Sequence, residues 1–124
     1  MRQVIIQNKT RPLQSPLQAG FADGFVDKLR GLAFRRGLGA HEGLVLAEAV
    51  ESRLGASIHM LGMAFDLCVV WLDSDLKVVD LQIARRWRSV LLPGKPARYV
   101  IECAPSRYAE FQPGDQLAFE DIPD

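Results

Sequence analysis

Two neighbouring segments constrain the fold more than any other feature of this chain. Leu67 to Leu72 (LCVVWL) is an unbroken apolar run, closed by the turn-forming Asp73, Ser74 and Asp75. Lys77 to Ala84 (KVVDLQIA) then alternates, with Val79, Leu81 and Ile83 on one side and Asp80 and Gln82 on the other. Apolar runs of this length around an acidic turn spell a β-hairpin. Other short segments follow the same habit. Gln3 to Gln7 (QVIIQ), Ala56 to Met60, Arg98 to Cys103 (RYVIEC) and Gln116 to Phe119 read as strands separated by turn residues. Gly43 to Val50 fits either a strand or a helix. The stretch from Asn8 to Gln18 carries Pro12 and Pro16, which cannot donate to a ladder, and reads as a loop.

Helical signals are fewer. Asp23 stands as an N-cap ahead of a stripe of Phe25, Leu29 and Leu32, with Arg35 and Arg36 before Gly37. Ala104 to Phe111 fits a short helix with Pro105 in its first turn and Pro113 beyond its end. About seven short strands with one or two short helices, and no long alternating βαβ units, predict a mainly β (α+β) domain.

At 124 residues the chain has the length of one domain. Fifteen basic residues balance fifteen acidic ones, so the whole molecule has no general pull toward nucleic acid or anionic membrane. The charge is nevertheless segregated. Residues 85–98 hold five bases and no acid, and residues 109–124 hold five acids and no base. The longest apolar run falls far short of the ~18 residues of a membrane span. The opening MRQVIIQNKT has neither the apolar core nor the cleavage site of a secretory signal, so a cytoplasmic location is expected. Cys68 and Cys103 both lie in apolar strand-like runs and are read as buried free thiols.

The order of several short motifs carries a resemblance. RGLAFRRGL, HEGLVL, IHMLGMAFDLCVVWLDSDLKVVD, WR, KPARYVIE and PGDQLAF follow one another over about Phe25 to Phe119. In this the chain resembles the domain of unknown function 192 family. The resemblance implies a compact, small barrel-like or clip-like antiparallel sheet assembly, and no settled activity. Arg86 stands where that family often has Pro before Trp-Arg, and Ser106 replaces a common Gly.

Sites of chemistry are sparse. His41-Glu42 continues as GLV, without the second His of HExxH, and no CxxC occurs. Ser57 is not in a Gly-x-Ser-x-Gly elbow. Ser74 and Lys77 have SxxK spacing without its partner motifs, inside a predicted turn. Asp73-Ser74-Asp75 lacks the Gly and terminal Glu of a calcium loop. Gly31 and Gly37 lack the Lys-Ser/Thr of a phosphate-binding loop. No metal or cofactor is therefore expected.

What remains is a candidate ligand-binding surface of His59, Met60, Asp66 and Glu102, with Trp87 and Arg88 at its rim. His59 beside a carboxylate suits acid–base or hydrogen-bonding work. The plainer alternative is a backbone-bonded His with Met60 filling a core gap. Glu102 interrupts an apolar strand, where an unpaired carboxylate is costly. It is either paired with Arg30, Arg98 or Arg107 or held in a polar pocket. Arg85, Arg86, Trp87 and Arg88 combine cations with an aromatic, as a strand end or as a base-stacking surface.

The expectation is thus a non-enzymatic ligand-binding or accessory module acting on an unknown small molecule or protein partner. It is expected to be a monomer or small homo-oligomer with no membrane association. The alternatives are an acid/base hydrolase using His59 with Asp66 or Glu102, and an RNA-associated protein using residues 85–98. Nucleic acid is the less favoured, given the neutral charge and single aromatic.

Overall fold

Strand β5 (Leu67–Leu72) is buried along its whole length, which requires cover on both faces. The computed structural model, which describes residues 2–24, 37–60, 63–87 and 90–123, supplies that cover by rolling one sheet. The strands are β1 (Arg2–Asn8), β2 (Gln18–Ala22), β3 (Glu42–Ser52), β4 (Ile58–His59), β5, β6 (Val78–Ala84), β7 (Val90–Leu91), β8 (Ala97–Cys103) and β9 (Leu117–Asp121). Seven of them form a sheet in the order β6-β5-β8-β3-β2-β1-β9, and β4 and β7 form a separate two-stranded ribbon. The domain is mainly β, as expected. Described helix is confined to a 3-10 segment over Pro105–Glu110.

The sheet curls until its two edge strands meet at one end. Leu76 to Val78 exchange backbone hydrogen bonds with Gly114, Asp115 and Leu117 at 2.7–2.9 Å, without a continuous ladder. The result is barrel-like but not a closed barrel. Alternation then sorts the core. Cys68, Val70 and Leu72 of β5 join Val4, Ile6, Val45, Ile101 and Phe111 in the enclosed cluster. Leu67, Val69 and Trp71 face a second cluster with Leu44, Ile58, Met60 and Val100 on the sheet's other side. Trp71 Nε1 donates to Ala56 O at 2.8 Å, so its one polar atom is satisfied there.

The β5–β6 hairpin forms as read, its turn held by Asp73 Oδ1, which accepts from Asp75 N and Lys77 N. Residues 43–50 resolve as strand, within β3. Two features differ from the sequence reading. The segment QAGFA forms β2, and it pairs with β3 in parallel, while the other neighbours are antiparallel. A parallel pair needs a crossover, here between Ala22 and Glu42. The helix predicted on Phe25, Leu29 and Leu32 falls in that crossover and lies outside the described residues.

Cys68 and Cys103 are direct cross-strand partners on β5 and β8, both buried and both free thiols. Their mutual hydrogen bond and their burial push the Cys103 thiol well above its ordinary value.

Candidate functional site

Glu102 is the one candidate whose position is hard to explain by stability alone. It lies on β8, directly opposite Leu44 of β3 on one side and Val69 of β5 on the other. Directly paired residues share a face, so its side chain joins the apolar second cluster. The residue is 7% exposed. Among the described residues no hydrogen bond or ion pair reaches its carboxyl group. Burial pushes its pKa up from 4.5 to about 7.

The arginines named as its partners are engaged elsewhere. Arg107 pairs with Glu110 and with the loop carbonyls of Ser15, Pro16 and Ala40. Arg98 donates to Glu48 O and lies over the Tyr99 ring. Arg30 lies outside the described residues.

The neighbouring ladder is tight. A Cβ at Gly43 would stand 2.8 Å from the Glu102 backbone oxygen, too close for two packed strands. Gly43→Ala is therefore expected to force β3 and β8 apart and to destabilise the fold by about 1–3 kcal/mol, the usual cost of overpacking. Chemical denaturation checks this, and an unchanged midpoint would show that the ladder yields freely.

The other candidates divide between the interior and the surface. Met60 is fully buried in the second cluster, the cluster that Glu102 joins. His59 is exposed on the ribbon, paired with Val90. Asp66 serves the backbone. Its Oδ1 accepts from Arg86 N at 2.8 Å and its Oδ2 from the Arg85 guanidinium at 3.3 Å, tying the start of β5 to the end of β6. The Arg86 N–H chiefly holds this carboxyl below its ordinary range; Arg85 adds to that, against a smaller opposing effect of burial. Trp87 is exposed in the following turn, and Arg88 lies outside the described residues. The five described candidates thus do not share one face.

A groove of about 420 Å³ lies elsewhere, walled by Ile6, Asn8, Lys9, Pro12, Leu13 and Pro16. Nothing in the sequence marked it, because its wall is the proline-bearing loop read only as irregular. The polar knot of Asn8, Arg11 and Asp115 was equally silent. Asp115 accepts from Asn8 Nδ2 at 2.9 Å and from Arg11 Nε at 3.0 Å, linking residues about a hundred positions apart.

The DUF192 family model, described as an uncharacterized ACR, matches residues 4–119. The chain belongs to the DUF192 family. Among curated DUF192 relatives, a UPF0127 protein of Thermococcus gammatolerans is 46% identical over 81 residues, covering 65% of this chain and 51% of the relative. The chain therefore spans about half the length of that protein. A UPF0127 protein of Thermococcus kodakarensis is 35% identical over 117 residues, 93% of this chain and 73% of its own length.

Two crystal structures share the DUF192 architecture seen here. A Sinorhizobium meliloti 1021 protein, provisionally described as a transcription regulator, superposes with a TM-score of 0.80 at 17% identity, covering 95% of this chain and 92% of the other. A protein of unknown function from Novosphingobium aromaticivorans DSM 12444 gives 0.79 at 19% identity, over 94% and 83%. At these identities the likeness concerns the fold alone.

Proposed function

We propose that this DUF192 chain is a non-enzymatic ligand-binding module whose recognition group is Glu102. The observation that carries the reading is a glutamate only 7% exposed, set between Leu44 and Val69, whose carboxyl is bonded to no partner among the described residues. Natural folds rarely leave such a group unmatched without a use for it. A ligand with an apolar body and a protonated amine or N–H head would supply the missing donor and neutralise the charge. Binding should then tighten as pH rises through about 7, where the carboxyl ionises. Asp66 is bonded to Arg85 and to the Arg86 N–H, where it ties the start of β5 to the end of β6.

A thermal-shift screen of sugars, nucleotides, peptides, metals and common metabolites tests this on the wild type and on Glu102→Gln. A ligand at a hundred times its Kd adds ~2.7 kcal/mol, or roughly 10 °C for a chain of this length. The expected result is an amine-bearing or N–H-bearing hit that loses most of its shift in Glu102→Gln. Silence across the panel, or a hit that the substitution leaves intact, overturns the reading.

A further inference from the structure

The two-stranded ribbon has one face engaged and one face free. Ile58 and Leu91, paired across it, turn inward onto the second cluster. His59 and Val90, the next pair, therefore point the other way, and both are exposed. Leu92 follows two residues after Val90, and the two are 40% and 55% exposed. Trp87 is 63% exposed and only three residues before Val90, within about 11 Å by chain reach. Across the ribbon's other end, Arg53 Nε donates to Pro93 O at 2.8 Å, which brings Leu54, 77% exposed, to the same neighbourhood.

This apolar surface is held in place rather than loosely displayed. Asp66 fixes Arg85 and the Arg86 N–H immediately before Trp87. Trp87 itself takes a φ of 63°, a conformation that bulky side chains rarely adopt. Its charge is also one-sided. Arg53 reaches Pro93 O, Arg85 and Arg86 come directly before Trp87, and Lys95 follows Gly94, with Asp66 and Asp80 as the acids bonded beside them. Asp66 and Arg85 cancel as an ion pair, while Asp80 accepts only from the neutral Leu81 N, Gln82 and Gly94 N and keeps its charge, which leaves Arg53, Arg86 and Lys95 against one anion.

We propose that the outer face of the β4–β7 ribbon, formed by His59, Val90 and Leu92 with Trp87 beside it, docks an acidic, apolar peptide segment of a partner protein. Exposed apolar patches rimmed by charge mark such contacts, and the surplus cations select an anionic partner. Aliphatic side chains outnumber the single ring, which favours a peptide over stacked bases. The inference stands apart from the Glu102 reading, since Glu102 lies inside the second cluster and the docking residues lie outside it.

Selection from a displayed random dodecapeptide library tests it, using the wild type, Trp87→Ala and the double variant Val90→Asp/Leu92→Asp. Because these positions are exposed, the variants should melt with the wild type. Enriched peptides are expected to combine Asp or Glu with Leu, Ile, Phe or Trp. A synthesised consensus peptide should bind both variants at least about tenfold more weakly and weaken with added salt. Glu102→Gln should bind it as the wild type does, which separates this outcome from that of the ligand screen. Three results overturn the proposal: no enrichment, enrichment without acidic bias, or undiminished binding to the variants. Retention of poly(U) RNA in place of peptide overturns it also, in favour of a nucleic-acid surface.

Discussion

Arg107→Met is expected to cost about 3–5 kcal/mol of stability, the usual penalty for breaking a buried, multiply bonded charge. Arg107 is 2% exposed and uses its whole fork. Nε donates to Ala40 O at 2.7 Å, Nη1 to Ser15 O at 2.9 Å and to Glu110 at 3.3 Å. Nη2 donates to Ser15 Oγ at 2.9 Å and Pro16 O at 2.7 Å. These acceptors belong to the loop entering β2, the loop entering β3 and the 3-10 helix, so one side chain joins three segments far apart in sequence. Methionine restores much of the volume but takes the guanidinium donors from Ser15 O and Ala40 O and leaves Glu110 with only the Gln14 N–H. Arg107→Lys should recover little, because a single ammonium cannot reproduce the planar fork. Urea and thermal denaturation of both variants measure this, with Tm falling by more than about 10 °C in each. A drop of only a degree or two would mean that water replaces the guanidinium at little cost.

Arg107 also shows where sequence reading stops. It was visible as a candidate partner for Glu102, and the structure gives it to Ser15, Pro16 and Ala40 instead. Nothing in PSRYAE indicates which carbonyls a buried guanidinium will meet, because those carbonyls are brought to it by the sheet's curl. Local pattern was sufficient elsewhere. LCVVWL and KVVDLQIA declared their hairpin because period and turn chemistry are both short-range. PSRYAE declared its helical turn through Pro105. β2 was missed because QAGFA has small and polar residues where strands usually carry β-branched ones. It is a strand by virtue of its neighbours, paired with β1 on one side and β3 on the other. The candidate site divided in the same way. Glu102 could be picked out as a lone carboxyl in RYVIEC, and its burial agrees with that suspicion. His59, Met60 and Asp66 are close in sequence but face solvent, core and backbone respectively, a separation that spacing alone does not encode. Val90 and Leu92 gave no signal at all, since an exposed aliphatic looks in sequence like a core residue.

Between pH 4.5 and about 7 the wild type is expected to lose stability as pH rises, and Glu102→Gln is expected to remove most of that loss. Burial lifts the Glu102 carboxyl from 4.5 to about 7 in the folded chain. In that window the folded protein keeps a proton that the unfolded chain has already released. Stability from this group is therefore complete below 4.5, falls across the window and levels off above 7. A displacement of that size corresponds to roughly 3 kcal/mol, or about 10 °C in Tm for this chain length. Other shifted carboxylates do not blur the effect. Asp66 and Asp115 are held below 3.8, so what they contribute is lost only under more acidic conditions. For Asp115, burial pushes upward, but the hydrogen bonds from Arg11, Asn8 and Gln112 outweigh it. Glutamine has the shape of the protonated acid and never ionises. The variant should match the wild type near pH 5 and melt about 10 °C higher near pH 8, as measured by thermal denaturation across a pH series. A variant that instead melts early at every pH would reveal a donor already serving the carboxylate, and Glu102 would then be a structural anchor. A stabilised variant would mean that the fold carries an ionised group at a cost it could avoid with a single amide, which is the pattern expected where a residue is kept for what it binds.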